Sequence, residues 1–347
     1  MDGAPQEVKI LPVNVCCRVG LSACRLEMVV SSFCPNCGSA NVRETGTVPV
    51  PVEVLYPEFA SVRGYAEDLT PSHFCRCDSC KLHFRSQQPT ADSLQEFYIH
   101  LPARNWNYDP KTVGSWCSAT RQLNRLYSSS QTIRILDVGA FNGAFLSGLS
   151  TAWKKCAVEP NLNALSELNR QGIIHIGGFL DDVRLQDQFG SFDVVTMFDV
   201  FEHLIHPDVS MSTLAALLKP GGRLIVSTGN SDHWSWKLLG TSHWYLHTIQ
   251  HLFVGSRGYF LNYCKQNGLV LESSINHSHR ISRLRDRAVH SIETWHWWSC
   301  SQKGVRRLPA AFIQRLPGFR QLVHRTAAPF ANSIADHSLF VIRKPDL

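Results

Sequence analysis

The stretch ILDVGAFNGAFL, from Ile135 to Leu146, decides the fold. Its first half is an apolar run typical of a central parallel strand, and its second half is a glycine turn that opens a helix. A dinucleotide-binding turn would read GxGxxG, and a phosphate loop would read GxxxxGK. This turn has neither pattern, because its spacing is Asp137-Val-Gly139-Ala-Phe-Asn-Gly143. It therefore predicts close approach of a ligand without a phosphate.

Glu159 lies twenty residues after Gly139, at the end of the next apolar run, KKCAVEPN (154–161). A carboxylate at the end of the second strand can accept both hydroxyl groups of a ribose. Because the turn has no pyrophosphate pattern, a ribose without pyrophosphate indicates S-adenosylmethionine (SAM).

Apolar, β-rich runs alternate with helical patterns through the rest of the chain, which predicts a doubly wound α/β sheet with its ligand at the carboxyl ends of the strands. Asp193 is interpreted as a structural residue at the start of the fourth strand. The predicted strands are 132–138, 154–161, 173–179, 191–200, 221–230, 269–275 and 337–343, and the helices between them include 164–171 and 208–219.

The composition is that of a globular protein, with 347 residues, 44% hydrophobic, 18% charged and a net charge of +6. No apolar run reaches the roughly 18 residues of a membrane span. Residues 1–27 lack a secretory pattern and are interpreted as a leader, with Met28 as the expected native start. We therefore expect a cytoplasmic protein.

Cysteines cluster in two CxxC pairs, Cys34/Cys37 and Cys77/Cys80. Each pair can direct two thiolates at one point, and two such knuckles supply a tetrahedral structural zinc site. Cys75 is a fifth candidate, with a core-facing strand position as its alternative. The spacing predicts a zinc ribbon over 28–91, followed by a helical, aromatic connector over 92–130 that contains LQEFY and NWNY.

Together, these motifs resemble those of the class I SAM-dependent methyltransferases. LDVGAFNGAFL is similar to their first motif, VEPN to the acidic end of their second strand, and LLKPGGRLIVSTGN to their PGG turn and fifth strand. FDVVTMFDVFEHLIHP and the segment 236–271 also resemble one branch, whose members often carry an N-terminal zinc ribbon and methylate small molecules, sugar nucleotides or lipid-linked intermediates. The resemblance covers roughly 31–275 and 337–345. It implies a Rossmann-like seven-stranded sheet over 131–347, with a helical insert (276–336) between the last two strands.

The resemblance also implies the cofactor contacts. Asp137 would order the loop and reach the methionine amino group, and Phe198 and Asp199 would line the methionine side; a turn cap and a solvated loop acid are the alternatives for Asp137 and Glu159. Phe141 replaces the family's usual middle glycine, and Phe179 stands where an acid is common. The predicted cofactor-binding residues are Asp137, Gly139, Ala140, Phe141, Gly143, Glu159, Pro160, Phe179, Leu180, Phe198 and Asp199.

Methyl transfer from a sulfonium to an acceptor is an in-line displacement that needs mainly positioning, and it needs a base only if the acceptor must lose a proton. Glu202, His203 and His251 are the catalytic candidates, and His203 and His251 are the candidate bases. The alternatives are that Glu202 and His203 orient the following helix and that His251 fixes its own segment. A divalent metal at Asp199, Glu202 and His203 is a further alternative.

The insert is strongly basic, with ten Lys/Arg between 277 and 330 against Asp286 and Glu293. Arginines alternate with apolar residues over 305–325, which suits peripheral membrane contact, a phosphorylated acceptor or RNA. A solvated lid is the remaining alternative, and prolines at 309 and 317 break any long helix.

These features predict a SAM-dependent methyltransferase that acts on oxygen or carbon of a small-molecule, sugar or carrier-linked acceptor. One alternative is an RNA methyltransferase whose zinc ribbon and insert contact RNA, although FDVFEH lacks an Asn/Asp-Pro-Pro-aromatic signature. The other is a non-catalytic SAM-fold adaptor.

Overall fold

The computed structural model describes residues 9–11, 28–48, 72–100, 109–248, 250–325 and 328–346. The predicted NWNY run and most of VPVPVEVLYP lie outside these ranges. The strands, in chain order, are β1 Lys9–Leu11, β2 Met28–Val30, β3 Val42–Val48, β4 Ser72–Cys77, β5 His83–Arg85, β6 Gln87–Pro89, β7 Arg134–Val138, β8 Lys154–Val158, β9 Ile174–Gly177, β10 Phe192–Phe198, β11 Leu218–Gly229, β12 Phe253–Val254, β13 Val270–His277 and β14 His337–Arg343.

Helices connect these strands and cover the faces of the sheet. The α-helices are α1 Ala91–His100, α2 Gly114–Leu126, α3 Ala144–Ser147, α4 Leu165–Arg170, α5 Pro207–Leu217, α6 Trp234–Leu239, α7 Arg257–Gln266, α8 Leu284–Ser301 and α9 Leu308–Ile313. Short 3-10 helices span Val183–Gln188, Phe201–His203, Gly240–Ser242, Trp244–His247, Gly304–Arg307 and Arg320–His324.

The central sheet has seven strands in the order β13-β14-β11-β10-β7-β8-β9. All of its pairings are parallel except those of β14, which runs antiparallel to both β11 and β13. The predicted seven-stranded α/β fold is therefore confirmed. The strand order reverses beside β7, so the loops after β7 and β10 open the crevice where such sheets bind ligands.

The middle strands are buried on both faces, as their near-continuous apolar sequences predict. In β7, Leu136 and Val138 pack into one hydrophobic layer, while Ile135 packs into the other. Asp193 holds the amino ends of three strands together, because its carboxylate accepts hydrogen bonds from the Arg134 amide (2.7 Å) and from Lys219 Nζ (2.7 Å). The interpretation of Asp193 as a structural residue is thus confirmed.

The cysteine-rich module forms a four-stranded sheet in the order β12-β5-β4-β3. Its edge strand β12 comes from the methyltransferase-like region, with Phe253 paired to Phe84 and Val254 to His83. A second small sheet, β1-β2-β6, includes Lys9–Leu11, a strand that the leader interpretation of 1–27 did not anticipate. The module is therefore joined to the large domain through shared strands.

Candidate functional site

A cavity of about 350 Å³ lies at the carboxyl ends of β7, β8 and β10. It collects every predicted cofactor residue except Gly143, together with all three catalytic candidates. The sequence predictions that line it are Asp137, Gly139, Ala140, Phe141, Glu159, Pro160, Phe179, Leu180, Phe198, Asp199, Glu202, His203 and His251.

The two glycines of the turn after β7 have different reasons to be glycine. Both adopt left-handed backbone conformations, with φ of 74° at Gly139 and 73° at Gly143. A Cβ on Gly139 would lie 2.4 Å from a methyl of Val200, so glycine lets the loop after β7 approach the loop after β10. A Cβ on Gly143 would meet the side chain of Ile173 at 2.4 Å, so this glycine serves helix packing behind the cavity.

Phe141 occupies a backbone position suited to glycine, with φ of 45°. Its amide donates a 2.6 Å hydrogen bond to Glu159 Oε2, while the Asn161 amide donates to Oε1 at 2.8 Å. In this turn the Phe141 amide points at the carboxylate, and its left-handed backbone suits the glycine that the resemblance leads us to expect here. Glu159 is held rigidly at the end of β8 by these two amides.

Two buried carboxyl groups face the cavity. Burial raises the pKa of Glu159 to about 7, against the opposing effect of its two amide donors. Burial also raises the pKa of Asp137 to about 7, although Thr196 donates to it at 2.7 Å. Hydroxyl donors and ammonium groups on a ligand would favour the ionised form of both groups.

The connector helix α1 forms a wall that the sequence analysis did not assign to the site. Leu94, Gln95 and Tyr98 line the cavity, and Gln95 Nε2 donates to Asp181 Oδ2 at 3.2 Å. Asp181 follows Phe179 and Leu180, two of the predicted cofactor-binding residues, so α1 lies beside them. The aromatic run LQEFY was the available signal, but nothing in its local pattern shows which domain it packs against.

Glu202 is fully buried and both of its oxygens are hydrogen-bonded. Tyr245 Oη donates to Oε1 at 2.5 Å and Thr228 Oγ1 donates to Oε2 at 3.0 Å. Burial, and then the charge of Asp199, raise the pKa of Glu202 to about 8. Glu202 thus anchors Tyr245 beside the cavity, a contact that neither the catalytic nor the helix-orienting interpretation included.

His203 and His251 lie side by side, with ring centroids 4.9 Å apart. Each uses Nδ1 toward a backbone carbonyl, His203 to Gln250 (3.0 Å) and His251 to Tyr245 (2.6 Å). A carbonyl only accepts, so each Nδ1 carries the proton and each Nε2 keeps a lone pair. Burial lowers the pKa of His203 to about 4 and that of His251 well below its usual value, so both rings are neutral near pH 7.

Arg85 of the cysteine-rich module hydrogen-bonds to the segment that carries Tyr245 and His251. Arg85 is buried, and it donates to the carbonyls of Leu246 (2.5 Å), Thr248 (3.0 Å) and His251 (2.9 Å). The small module therefore shapes one wall of the cavity. Sequence reasoning missed this residue, because an arginine in a β-prone run reads as a surface position.

The four cysteines predicted to bind zinc converge. Sγ atoms lie 3.6 Å apart in the Cys34/Cys80 and Cys37/Cys77 pairs, and all four lie within 4.8 Å of one another. A tetrahedral zinc with bonds of about 2.3 Å requires sulfur separations of about 3.8 Å, so the thiolates fit zinc. Cys75 is buried in β4 outside this cluster, in agreement with its core-facing alternative.

The proposed metal triad of Asp199, Glu202 and His203 is not one cluster among the described residues. Glu202 and His203 group with His251, whereas Asp199 groups with His279 and His337. All three members of the first group line the cavity, as do Asp199 and His279 of the second.

The insert both borders the cavity and reaches solvent. Arg280 and Phe330, near its two ends, line the cavity. Within the described ranges, no helix is long and apolar enough to cross a membrane. The exposed apolar side chains of 305–325 are Val305, Leu308, Phe312 and Val323.

The known proteins to which this chain is similar include named methyltransferases. Among curated proteins, a ubiquinone biosynthesis O-methyltransferase of Xanthomonas axonopodis pv. citri (strain 306) is 32% identical over 106 residues, which are 28% of this chain and 43% of the relative. The enzyme of the same name from Idiomarina loihiensis is 34% identical over 115 residues, or 30% of this chain and 46% of the relative. The chain thus spans less than half of the length of these relatives.

Solved structures of methyltransferases are also similar. A chain of a Haloferax volcanii complex between a methyltransferase activator and a methyltransferase has 14% identity and a TM-score of 0.47, covering 73% of this chain and 97% of that one. A Haemonchus contortus phosphoethanolamine N-methyltransferase has 15% identity and a TM-score of 0.45, covering 76% of this chain and 63% of that one.

The family described as "Methyltransferase domain" matches residues 95–274, which is just over half of the chain. This match spans β7 to β11 and includes every predicted cofactor residue. The protein therefore belongs to the methyltransferase-domain family and has the fold of the class I SAM-dependent methyltransferases.

Proposed function

We propose that the protein transfers a methyl group from SAM to an oxygen atom of an apolar small-molecule acceptor. The observation that carries this proposal is the convergence of the predicted cofactor residues on one cavity at the point where the strand order reverses. The sequence predicted transfer to oxygen or carbon of a small-molecule, sugar or carrier-linked acceptor. Within that class, we propose oxygen as the atom and an apolar small molecule as the acceptor.

The residues present fit SAM. Glu159 would accept the ribose hydroxyls, Asp137 would attract the methionine ammonium, and Phe179 and Leu180 would contact the adenine; that all four line the cavity supports these roles. When bound, SAM supplies an electrophilic methyl group on a sulfonium. Phe198, whose ring packs edge-on to Phe145 at 4.7 Å, gives the methionine side a rigid floor.

Positioning of the acceptor, rather than strong base catalysis, supports the transfer. The lone pairs on Nε2 of His203 and His251 can accept an acceptor proton, because both rings are neutral. A pKa of about 4 makes His203 a weak base, so it suits an acceptor hydroxyl that is already acidic, such as a phenol. An aliphatic alcohol would be a poor acceptor.

The acceptor side of the cavity is aromatic. Tyr98, Trp116, Trp244 and Phe330 line it. Flat aromatic surfaces favour an aromatic or isoprenoid-bearing acceptor over a free sugar. The O-methyltransferase relatives have names that point to the same chemistry, although they match only a part of this chain. The basic insert, beside the cavity, would contact an anionic part of the acceptor or of its carrier.

The first test is calorimetric titration with S-adenosylhomocysteine, the product form of the cofactor, followed by methyl transfer assays with catechols and prenylated phenols. We expect micromolar binding of S-adenosylhomocysteine and transfer to phenols, with aliphatic alcohols and RNA as comparison acceptors. Absence of binding would contradict the cofactor assignment. Binding with transfer only to RNA would instead support the RNA methyltransferase alternative, which should also show a steep salt dependence.

A further inference from the structure

Asp199, His279 and His337 come together from three separate places in the chain. Asp199 follows the end of β10, His279 lies two residues after β13, and His337 begins β14. Each offers a potential ligand atom within 4.8 Å of the others, and His279 Nδ1 lies 4.0 Å from Asp199 Oδ2. We propose that these three side chains form a divalent transition-metal site in the cavity wall, separate from the four-cysteine site.

A buried carboxylate orients the deepest of the three ligands. His337 is fully buried, and its Nδ1 lies 2.9 Å from Asp336 Oδ1. Asp336 is itself fixed by Trp244, whose Nε1 donates to Oδ2 at 2.7 Å. Donation from Nδ1 to a carboxylate leaves the lone pair on Nε2, and this carboxylate–histidine arrangement is typical behind metal-binding imidazoles.

Two atoms of the cluster are buried without a hydrogen-bond partner. Among the described residues of the cluster, these atoms are Asp199 Oδ1 and His337 Nε2. A buried polar atom without a partner is destabilising, because it has lost its hydrogen bonds to water and has gained none in exchange. Coordination of a metal ion would satisfy both atoms. Asp199 also has a left-handed backbone, with φ of 52°, an unfavourable conformation for which ligand binding by its side chain gives a reason.

The ligand set selects the class of metal. Two imidazoles and one carboxylate suit Zn²⁺, Fe²⁺ or Mn²⁺ better than Mg²⁺, which prefers oxygen ligands. Bonds of about 2.1 Å require ligand separations of up to about 4.2 Å, so small rotations of the half-buried Asp199 and His279 would close the site.

The neighbouring Glu202, His203 and His251 cluster is a weaker candidate. Both oxygens of Glu202 are already engaged by Tyr245 and Thr228, so metal binding there would break two buried hydrogen bonds. Asp199 has no such competitor on Oδ1.

A metal here would act on the acceptor. Asp199 and His279 line the cavity, so a metal held by them would have open coordination positions toward a bound hydroxyl. The metal would lower the pKa of that hydroxyl, and a weak base such as Nε2 of His203 or His251 would then suffice to accept its proton. This part rests on the proposed function and narrows the acceptor to one with a coordinating hydroxyl. The presence of the metal does not depend on that function.

Zinc content after equilibrium dialysis of the full-length protein against buffered free Zn²⁺ tests the site. We expect two zinc ions per chain, one from the cysteines and one from this cluster. His279→Ala should lower the content to one. His337→Ala should do the same, but its buried position makes the partly exposed His279 the safer variant. His277→Gln is the matched control, because it changes a buried imidazole whose ring lies 5.8 Å from His337 and leaves the three ligands intact.

One zinc per chain in the wild type would overturn the proposal, as would two in a folded His279→Ala protein. Loss of the second zinc only in His251→Ala would place it in the other cluster and also overturn the proposal. Thermal unfolding verifies that each variant is folded. Titration with S-adenosylhomocysteine, which probes the proposed function through Glu159, separates failure of the metal site from failure of the cofactor site.

Discussion

Glu159 is the residue through which the cofactor assignment can be tested most directly, because its two oxygens are held at the end of β8 by the amides of Phe141 and Asn161. Its pKa of about 7 places its ionisation near neutral pH. Ligand hydroxyls prefer the ionised form, so affinity should depend on pH in this range.

We predict that Glu159→Gln weakens S-adenosylhomocysteine binding by about tenfold to a hundredfold, the effect of losing a charged acceptor. For the wild type, affinity should rise as the pH rises to about 7, because the Glu159 carboxyl group becomes ionised in this range. At higher pH the group is fully ionised, so affinity should level off. Affinity should rise less steeply with pH in the variant. The pH dependence that is left would come from Asp137, whose pKa is also about 7. Calorimetry between about pH 6 and about pH 8 measures both effects.

The control is Glu167→Gln, which changes an α4 glutamate paired with Arg170 on the surface. Its affinity and pH profile should match those of the wild type. If S-adenosylhomocysteine binding were weakened equally in both variants, the assignment of Glu159 as a cofactor contact would be wrong.

Gly139 should be intolerant of any side chain, for two separable reasons. Gly139→Ala places a methyl group in a left-handed conformation and 2.4 Å from Val200. Gly172→Ala has the same backbone strain, with φ of 68°, but no atom within 4 Å of its Cβ. We expect Gly172→Ala to lower the free energy of unfolding by about 1 kcal/mol. Gly139→Ala should lower it further and weaken cofactor binding, as urea unfolding and calorimetry would show; equal effects would refute the close-approach explanation.

At the scale of elements, the central sheet was predictable, because each of its inner strands is apolar enough to be recognised from its own residues. The burial of LDV and VVTMF follows from composition alone, and so does the position of Glu159 at a strand end. Phe141 shows a limit of this reasoning, since its side chain gave no sign that the backbone would remain left-handed.

Contacts between distant segments were not predictable. The pairing of β12 with β5, the wall formed by α1 and the meeting of His279 with His337 all depend on residues far apart in sequence. No local pattern shows whether a histidine at the end of one strand will contact a histidine at the end of another strand. The three catalytic candidates were brought to the cavity, but their hydrogen bonds gave Glu202 an anchoring role.

Arg85 connects β5 to the segment that carries Tyr245 and His251. Its replacement should destabilise both. Lysine cannot donate to the carbonyls of Leu246, Thr248 and His251 together, so Arg85→Lys should lower the free energy of unfolding by about 2–3 kcal/mol. Methyl transfer should fall more than cofactor affinity, because the segment with His251 lies on the acceptor side. Urea unfolding and initial rates measure these effects.

Arg43→Lys is the matched change in the same small sheet. Arg43 is 61% exposed and lies 3.8 Å from Asp78, so its replacement should alter stability by less than about 0.5 kcal/mol. A similarly small effect for Arg85→Lys would show that the hydrogen bonds from Arg85 to the segment contribute little to stability.

At the scale of the whole molecule, the cysteine-rich module and the methyltransferase domain should unfold as one unit. They share the β12–β5 pairing, the Arg85 contacts and a hydrogen bond from Tyr259 Oη to Asn36 Oδ1 (2.8 Å). Cys77→Ser/Cys80→Ser should therefore remove one zinc per chain, lower the temperature of the main calorimetric transition and weaken S-adenosylhomocysteine binding.

Cys75→Ser is the comparison, since Cys75 is buried in β4 outside the cysteine cluster. It should keep its full zinc content. If the double variant instead lost zinc and retained both its main transition and its cofactor affinity, the module would be an independent domain.

The shared strand also affects how the chain is made. Arg85 and the His251 carbonyl that it contacts are 166 positions apart, so a ribosome adding 5–20 residues per second needs roughly 8–33 s to pass from one to the other. During that interval the cysteine-rich module has emerged without β12, and the edge of β5 lies open to pairing with other chains. Early zinc loading, or a chaperone that shields this edge, would thus govern the yield of folded protein more than the stability of the finished molecule does.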